Sequence, residues 1–239
     1  MKRFWNTATA EGEAGSFTIR LDGKPVHLPG GGVLRLAHTK LAEAVADEWQ
    51  RAGGASGGEM SFADTPLTRL AGTAQQRIAP DPAPTVDAIA RYAESDLLCY
   101  RAEAPQELVR RQARLWQPWL DWAALAYDAP LRTSTGVAYV EQHRSSIAAL
   151  RKAVAALDVP ALAALGIAVP ALGSVVLGLA LAEGRLDAAT AHALGSLDEL
   201  FQAEAWGEDT EAAARRRAIA ADIDLAARFL QLTRGAPAA

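Results

Sequence analysis

Pro80-Asp81-Pro82-Ala83-Pro84 divides the 239-residue chain into two parts of different hydrophobic period. Three prolines in five positions fix φ and remove backbone donors, so neither a helix nor a central strand runs through them. Working back toward the N-terminus, the period is first that of strands. Phe17, Ile19 and Leu21 alternate with Thr18 and Arg20, Asp22-Gly23 gives a turn signal, and Val26 and Leu28 alternate after it. This reads as a β-hairpin, with Pro25 close enough behind the turn to suggest a loop longer than two residues. Val33 to Leu36 reads as a further strand. Thr39 to about Arg51 reads as a helix capped by Thr39, with Leu41, Ala44, Val45 and Trp49 on one face. A second helix follows, capped by Thr65, with Pro66 at its first position and Leu67, Leu70, Ala71, Ala74 and Ile78 as its stripe.

Toward the C-terminus the helical period dominates. A short helix spans Val86 to about Glu94, and Leu97 to Tyr100 reads as strand or helix. Leu108, Leu115, Trp116, Trp119 and Ala123 mark a long helix containing Pro118. Leu131 to Val140 has strand or loop character. Ile147, Leu150, Val154 and Leu157 mark another helix. Gly184 suits a C-cap, Asp187 an N-cap, and Ile219 to Leu230 a last helix. The fold class is α+β: a small β-rich N-terminal domain with one or two helices over residues 1–82, then a larger all-helical C-terminal domain over 83–239.

Composition narrows the function. Half the residues are apolar, enough for a sizeable core, and the net charge of −4 lacks the basic excess of a nucleic-acid-binding protein. A single cysteine, Cys99, excludes an internal disulfide and fits a reducing compartment. No apolar segment follows Lys2-Arg3-Phe4-Trp5, so no secretory leader is read there. Val159 to Ala182 carries no charge, but Pro160, Pro170, Gly166, Gly173 and Gly178 interrupt it. It reads as a buried helical pair rather than a membrane span.

Motifs of catalysis are missing. His27, His38, His143 and His192 are scattered without zinc spacing, and neither the Gly30 triplet nor the Gly53 to Gly58 run has phosphate-loop spacing. No cofactor is implied. An enzyme remains as the alternative, a hydrolase or transferase assembling a site from Asp96, Cys99 and His143.

Two features point to surfaces. Trp116, Trp119 and Trp122 cover roughly 120° of a helix, and Leu125 falls off that arc. This helix is covered from several sides or offers surface to a partner. The second feature is Glu204, Glu208, Asp209 and Glu211 around Trp206-Gly207. Acids after a helix break suit the start of the next helix, and an exposed aromatic ringed by charge is also how interface anchors look. Local physics leaves the two readings even. Arg215-Arg216-Arg217 reads as a solvated helix face, with Glu211 four residues before Arg215 and Glu107 four before Arg111.

Short segments in order then carry a resemblance: Arg3-Phe4-Trp5, Leu21-Asp22-Gly23-Lys24-Pro25-Val26, Glu48-Trp49 and Pro66-Leu67-Thr68-Arg69-Leu70-Ala71. They continue with Asp96-Leu97-Leu98-Cys99-Tyr100-Arg101-Ala102, Trp116-x-Pro118-x-x-Asp121-Trp122, Thr135-Gly136 and Leu177-Gly178-Leu179-Ala180-Leu181. The last are Leu197-Asp198-Glu199 with Gln202, and Trp206-Gly207-Glu208-Asp209. Together they resemble the assembly chaperones of the F-type ATP synthase F1 sector, in the class specific for the alpha subunit. The resemblance implies a non-catalytic protein that binds unassembled alpha subunit until the beta subunit joins. It implies no membrane insertion, a monomer, and a bacterial, cytoplasmic member. Partner-binding residues at the matching positions are Glu199, Glu204, Glu208 and Asp209, with Trp206 beside them. Gln75-Gln76 and Ser196 depart from the family's usual acidic and basic residues.

Overall fold

The computed structural model describes residues 2–13, 15–136 and 138–235. The chain forms two compact units. One holds Met1–Pro82 with Val159–Ala164 and Arg228–Ala239, the other Ala83–Asp158 with Leu165–Ala227.

In the first unit, β1 (Ala8–Glu13) pairs antiparallel with β2 (Ser16–Leu21), which also pairs with β3 (Lys24–Pro25) and β4 (Arg35–Leu36). The β2–β3 loop is only two residues long, because Leu21 pairs with Lys24 and Arg20 with Pro25. Asp22 (φ 47°) and Gly23 (φ 81°) both take the left-handed conformation that matches strand twist, so Pro25 does not lengthen the loop. The Asp22 carboxylate accepts from the amides of Asn6 and Thr7, and these bonds hold its pKa below the ordinary value. Strand β1 gives no apolar alternation (Ala-Thr-Ala-Glu-Gly-Glu), and is specified by pairing along all of β2.

Ile19, Leu21, Leu34 and Leu36 are buried together with Leu41, Val45 and Trp49 of α1 (Thr39–Arg51). The N-cap of α1 is His38 and Thr39 is its first helical residue. Helix α2 (Pro66–Thr73) continues as a π-helical turn over Ala74–Ile78, and the stripe from Leu67 to Ile78 is buried. Its N-cap, Thr65, makes no side-chain bond to the helix. Glu48 of α1 does so instead: its carboxylate accepts from the Leu67 amide (2.6 Å), the Thr68 amide (3.0 Å) and the Thr68 hydroxyl (2.8 Å). The indole of Trp49 donates to the same hydroxyl at 2.8 Å, and that of Trp5 to the Trp49 carbonyl at 3.1 Å. Arg3 closes the end of α1 by donating to the carbonyls of Gln50, Ala52 and Gly54. Gln75 accepts from the Arg35 amide and donates to the Val33 carbonyl, both at 2.9 Å. A carboxylate could not supply that donor.

The second unit is mostly, not wholly, helical, since it also holds a short pair of strands. After α3 (Ala83–Ala90), a 3-10 turn over Leu97–Cys99 leads into β5 (Tyr100–Arg101), so both readings of that run hold. Then come α4 (Gln106–Tyr127) and β6 (Ser134–Thr135), which pairs parallel with β5. Helix α5 (Arg144–Ala155) packs on α3. The uncharged stretch forms α6 (Val159–Leu172), which begins in the first unit, and α7 (Val175–Ala182). Gly173 (φ 65°) and Ser174 separate them, and the Ser174 hydroxyl caps the Leu177 amide. Among the described residues, no helix is long and apolar enough to cross a membrane. Gly184 (φ 73°) follows α7, Asp187 caps α8 (Ala188–Gly195), and α9 (Leu197–Trp206) and α10 (Thr210–Thr233) follow.

Asp96 organises the centre of this unit. It is buried, and its carboxylate accepts from the Leu98 amide (3.1 Å), the Ser174 hydroxyl (3.0 Å) and the Val176 amide (3.1 Å). It thereby closes the start of α7, where a negative charge also meets the positive end of the helix dipole.

Candidate functional site

Helix α9 and the turn after it carry the residues singled out in the sequence. Asp198 and Glu199 lie in the first helical turn, where carboxylates are favoured. Gly207 (φ 92°) ends the helix in a conformation that a side chain would strain. Asp209 then caps α10, its carboxylate accepting from the Ala212 amide at 2.8 Å.

The acids from Asp198 to Asp209 have internal partners. Glu204 accepts from Arg111 of α4 at 2.7 Å, and that guanidinium also lies over the Phe201 ring and 3.3 Å from Glu107. Asp198 accepts from Gln112 of α4 at 2.7 Å. Glu208 accepts from Arg216 of α10 at 2.8 Å. The Glu199 carboxylate is 3.9 Å from Arg216 and 3.8 Å from Arg215, ion-pair rather than hydrogen-bond distances. Among the described residues, Arg215 therefore pairs with Glu199 and not with Glu211. Arg216 is only 6% exposed, so the basic triplet is not simply a solvated face. Sequence spacing could not show this, because both carboxylates that face Arg216 lie outside its own helix.

Among the described residues of this unit, three large hydrophobic side chains stand in solvent: Tyr139, before α5, and two on helices. Trp206, at the end of α9, is 81% exposed, and Leu125, near the end of α4, is 88% exposed. Leu125 lies on the lip of a groove of about 760 Å³ lined by Tyr127, Ala149, Ala153, Leu157 and Leu179. The α4 tryptophans turn inward to different degrees. Trp116 is fully buried and donates to the Leu194 carbonyl, while Trp119 and Trp122 are half-buried, edge to face.

The residues considered for catalysis are otherwise engaged. Burial first, and the nearby Asp96 carboxylate second, push the Cys99 thiol up to about 12, the reverse of what a nucleophile needs. Every Asp96 bond described above serves the backbone or Ser174. His143 is exposed at the N-cap of α5. Among the described residues, no group of three or more His, Cys, Asp or Glu side chains could hold a metal ion.

A family model described as ATP12 chaperone protein matches residues 2–124. The crystal structure of Atp12 from Paracoccus denitrificans is 42% identical, with 98% of each chain covered and a TM-score of 0.90. An aspartate-to-lysine mutant of that protein matches with the same figures. The Atu1473 protein of Agrobacterium tumefaciens is 39% identical, with 97% of this chain and 85% of that one covered and a TM-score of 0.82. By sequence over half its length and by structure over nearly all of it, this chain belongs to the ATP12 chaperone protein family.

Proposed function

We propose that this protein is an assembly chaperone for the F1 sector of ATP synthase, binding the unassembled alpha subunit and preventing its aggregation until the beta subunit joins. Membership of the ATP12 chaperone family is the observation that carries this reading. The exposed Trp206 and Leu125 support it, since a chaperone needs apolar surface to cover that of its client. The contact segment runs through Glu199, Glu204, Trp206, Glu208 and Asp209, with the indole as anchor. The protein acts as a cytoplasmic monomer and without catalysis, holding its client by mass action and releasing it by exchange.

Light scattering of isolated alpha subunit tests this. Equimolar protein should suppress aggregation equally with and without nucleotide, and added beta subunit should displace it. Undiminished aggregation at excess protein would refute the proposal.

A further inference from the structure

We propose that Arg216 is a positioning residue of the partner-binding surface: its enclosed guanidinium ties the α9–α10 turn and presents the Trp206 indole on a fixed backbone. This rests on the reading of Trp206 as the client anchor and adds how the anchor is held.

The geometry is that of a staple. Trp206 is followed by Gly207, whose φ of 92° and ψ of 163° lie in a region open to few residues but glycine. A glycine next to an exposed indole gives the turn freedom unless something beyond it is fixed. Glu208 is the next residue, and Arg216, two turns into α10, holds its carboxylate at 2.8 Å. The same guanidinium lies 3.9 Å from Glu199, two turns before Trp206 on α9. One cation therefore bridges the helix before the indole, the turn after it and the helix beyond. Glu204, two residues before Trp206, is held by Arg111 from the other side. The indole is exposed while the backbone on both flanks is pinned. An anchor held in one place binds more tightly because less order is lost on binding.

The burial is asymmetric, and this makes the idea testable. The Arg216 side chain is 8% exposed, against 64% for Glu208 and 44% for Glu199. Arg216→Met replaces the enclosed partner by an apolar chain of similar length; the exposed Glu208 carboxylate turns to water, and Glu199 keeps Arg215 at 3.8 Å. No carboxylate is then left enclosed without a cation, which is what makes loss of one member of a buried pair costly, while the staple is gone.

The experiment is a double-mutant cycle on the full chain, reading affinity for isolated alpha subunit. Trp206→Ala should weaken binding by about 30-fold or more, as anchors do. Arg216→Met alone should weaken it by about tenfold, the equivalent of re-ordering one large side chain and its turn. In the Trp206→Ala background, Arg216→Met should add less than about twofold, because its effect passes through the indole. Arg216→Lys should recover most of the affinity. A readout without client runs beside it: with 5-fluorotryptophan in all six tryptophans, Trp206→Phe assigns one 19F resonance. That line should narrow and shift in Arg216→Met, with the rest unmoved.

Equal losses from Arg216→Met in both backgrounds, or an unchanged Trp206 line, would overturn the proposal. Normal binding by Trp206→Ala would overturn it too, together with the choice of contact segment, yet leave suppression of alpha-subunit aggregation intact and so distinguish the two failures. Should Arg216→Met not fold, Arg216→Gln, which keeps a polar group in the enclosed site without the charge, takes its place in the same cycle.

Discussion

Glu48→Ala removes the acceptor that α1 offers to the start of α2, and its cost can be worked from the geometry. Three bonds of 2.6 to 3.0 Å end on this one carboxylate, from the amides of Leu67 and Thr68 and the Thr68 hydroxyl. Leu67 and Thr68 are buried, so water cannot simply replace it. Loss of a helix cap costs about 1 kcal/mol. Stranding buried donors costs about 1–3 kcal/mol more. Burial pushes the Glu48 pKa up despite those bonds, so part of the gain is already spent on desolvation. The net expectation is about 3 kcal/mol for Glu48→Ala and about half that for Glu48→Gln, which keeps one acceptor oxygen. Urea unfolding followed by tryptophan fluorescence measures the total, and hydrogen exchange at Leu67 and Thr68 localises it. The sign with pH is also fixed. A folded pKa raised above the unfolded one gives stability that is present at low pH and lost as pH rises through the folded value. The advantage of Glu48 over alanine therefore shrinks as pH rises. A loss under about 0.5 kcal/mol, equal damage from Ala and Gln, or a gap that widens with pH would refute the reasoning.

Three further outcomes follow from the second unit. Asp96 is raised from 3.8 to about 6 by burial, so the stability difference between the native protein and Asp96→Asn should fall as pH rises from 4 to 7. The fall should be about 3 kcal/mol, and urea unfolding across that range would disprove it by finding a rise or no slope. Gly178→Ala should destabilise by about 1–3 kcal/mol despite alanine's better helix propensity, because a Cβ there would lie 2.4 Å from Cγ2 of buried Val169. Val169→Ala in the same chain should recover part of this loss in thermal unfolding; additive losses would sink the steric account. Cys99, pushed up to about 12 and buried, should react with a thiol reagent at neutral pH only as fast as the protein opens. Rapid labelling of the native protein would contradict that.

What was legible in the sequence was local. The Asp22-Gly23 turn, the Gly184 and Asp187 caps, the stripe of α2 and the division of the uncharged stretch all follow from residues within a few positions of one another. What was hidden acts at a distance or depends on pairing. Glu48 closes a helix that begins 18 residues later, after the nearer Thr65 fails to do so, and Asp96 closes one 79 residues on. Strand β1 has no apolar face to announce it and exists because β2 offers it a full edge. The split among the α4 tryptophans was equally out of reach. Periodicity gives their direction from the helix axis, but not which neighbour covers them.

The segments that carried the family resemblance prove to be mostly those distant closures. Arg3, Trp5, Glu48, Trp49 and Thr68 form one connected set of bonds in the first unit, and Asp96 with Ser174 another in the second. Such residues fix the architecture through the backbone and side-chain groups they satisfy. The acids of the α9–α10 segment look at first like the opposite case, free charge kept for a partner. Their geometry is closer to that of the architectural set: Asp209 is a cap, Glu204 is held by α4, and Glu208 and Glu199 share Arg216. In this segment Trp206 alone is a large apolar side chain left in solvent. Reversing the charge of Glu208 would therefore do two things at once, removing a carboxylate from the surface and setting a cation against an enclosed guanidinium. A binding defect in Glu208→Lys would not by itself identify a direct contact. Glu208→Gln beside it separates the two, since it releases the turn without adding repulsion.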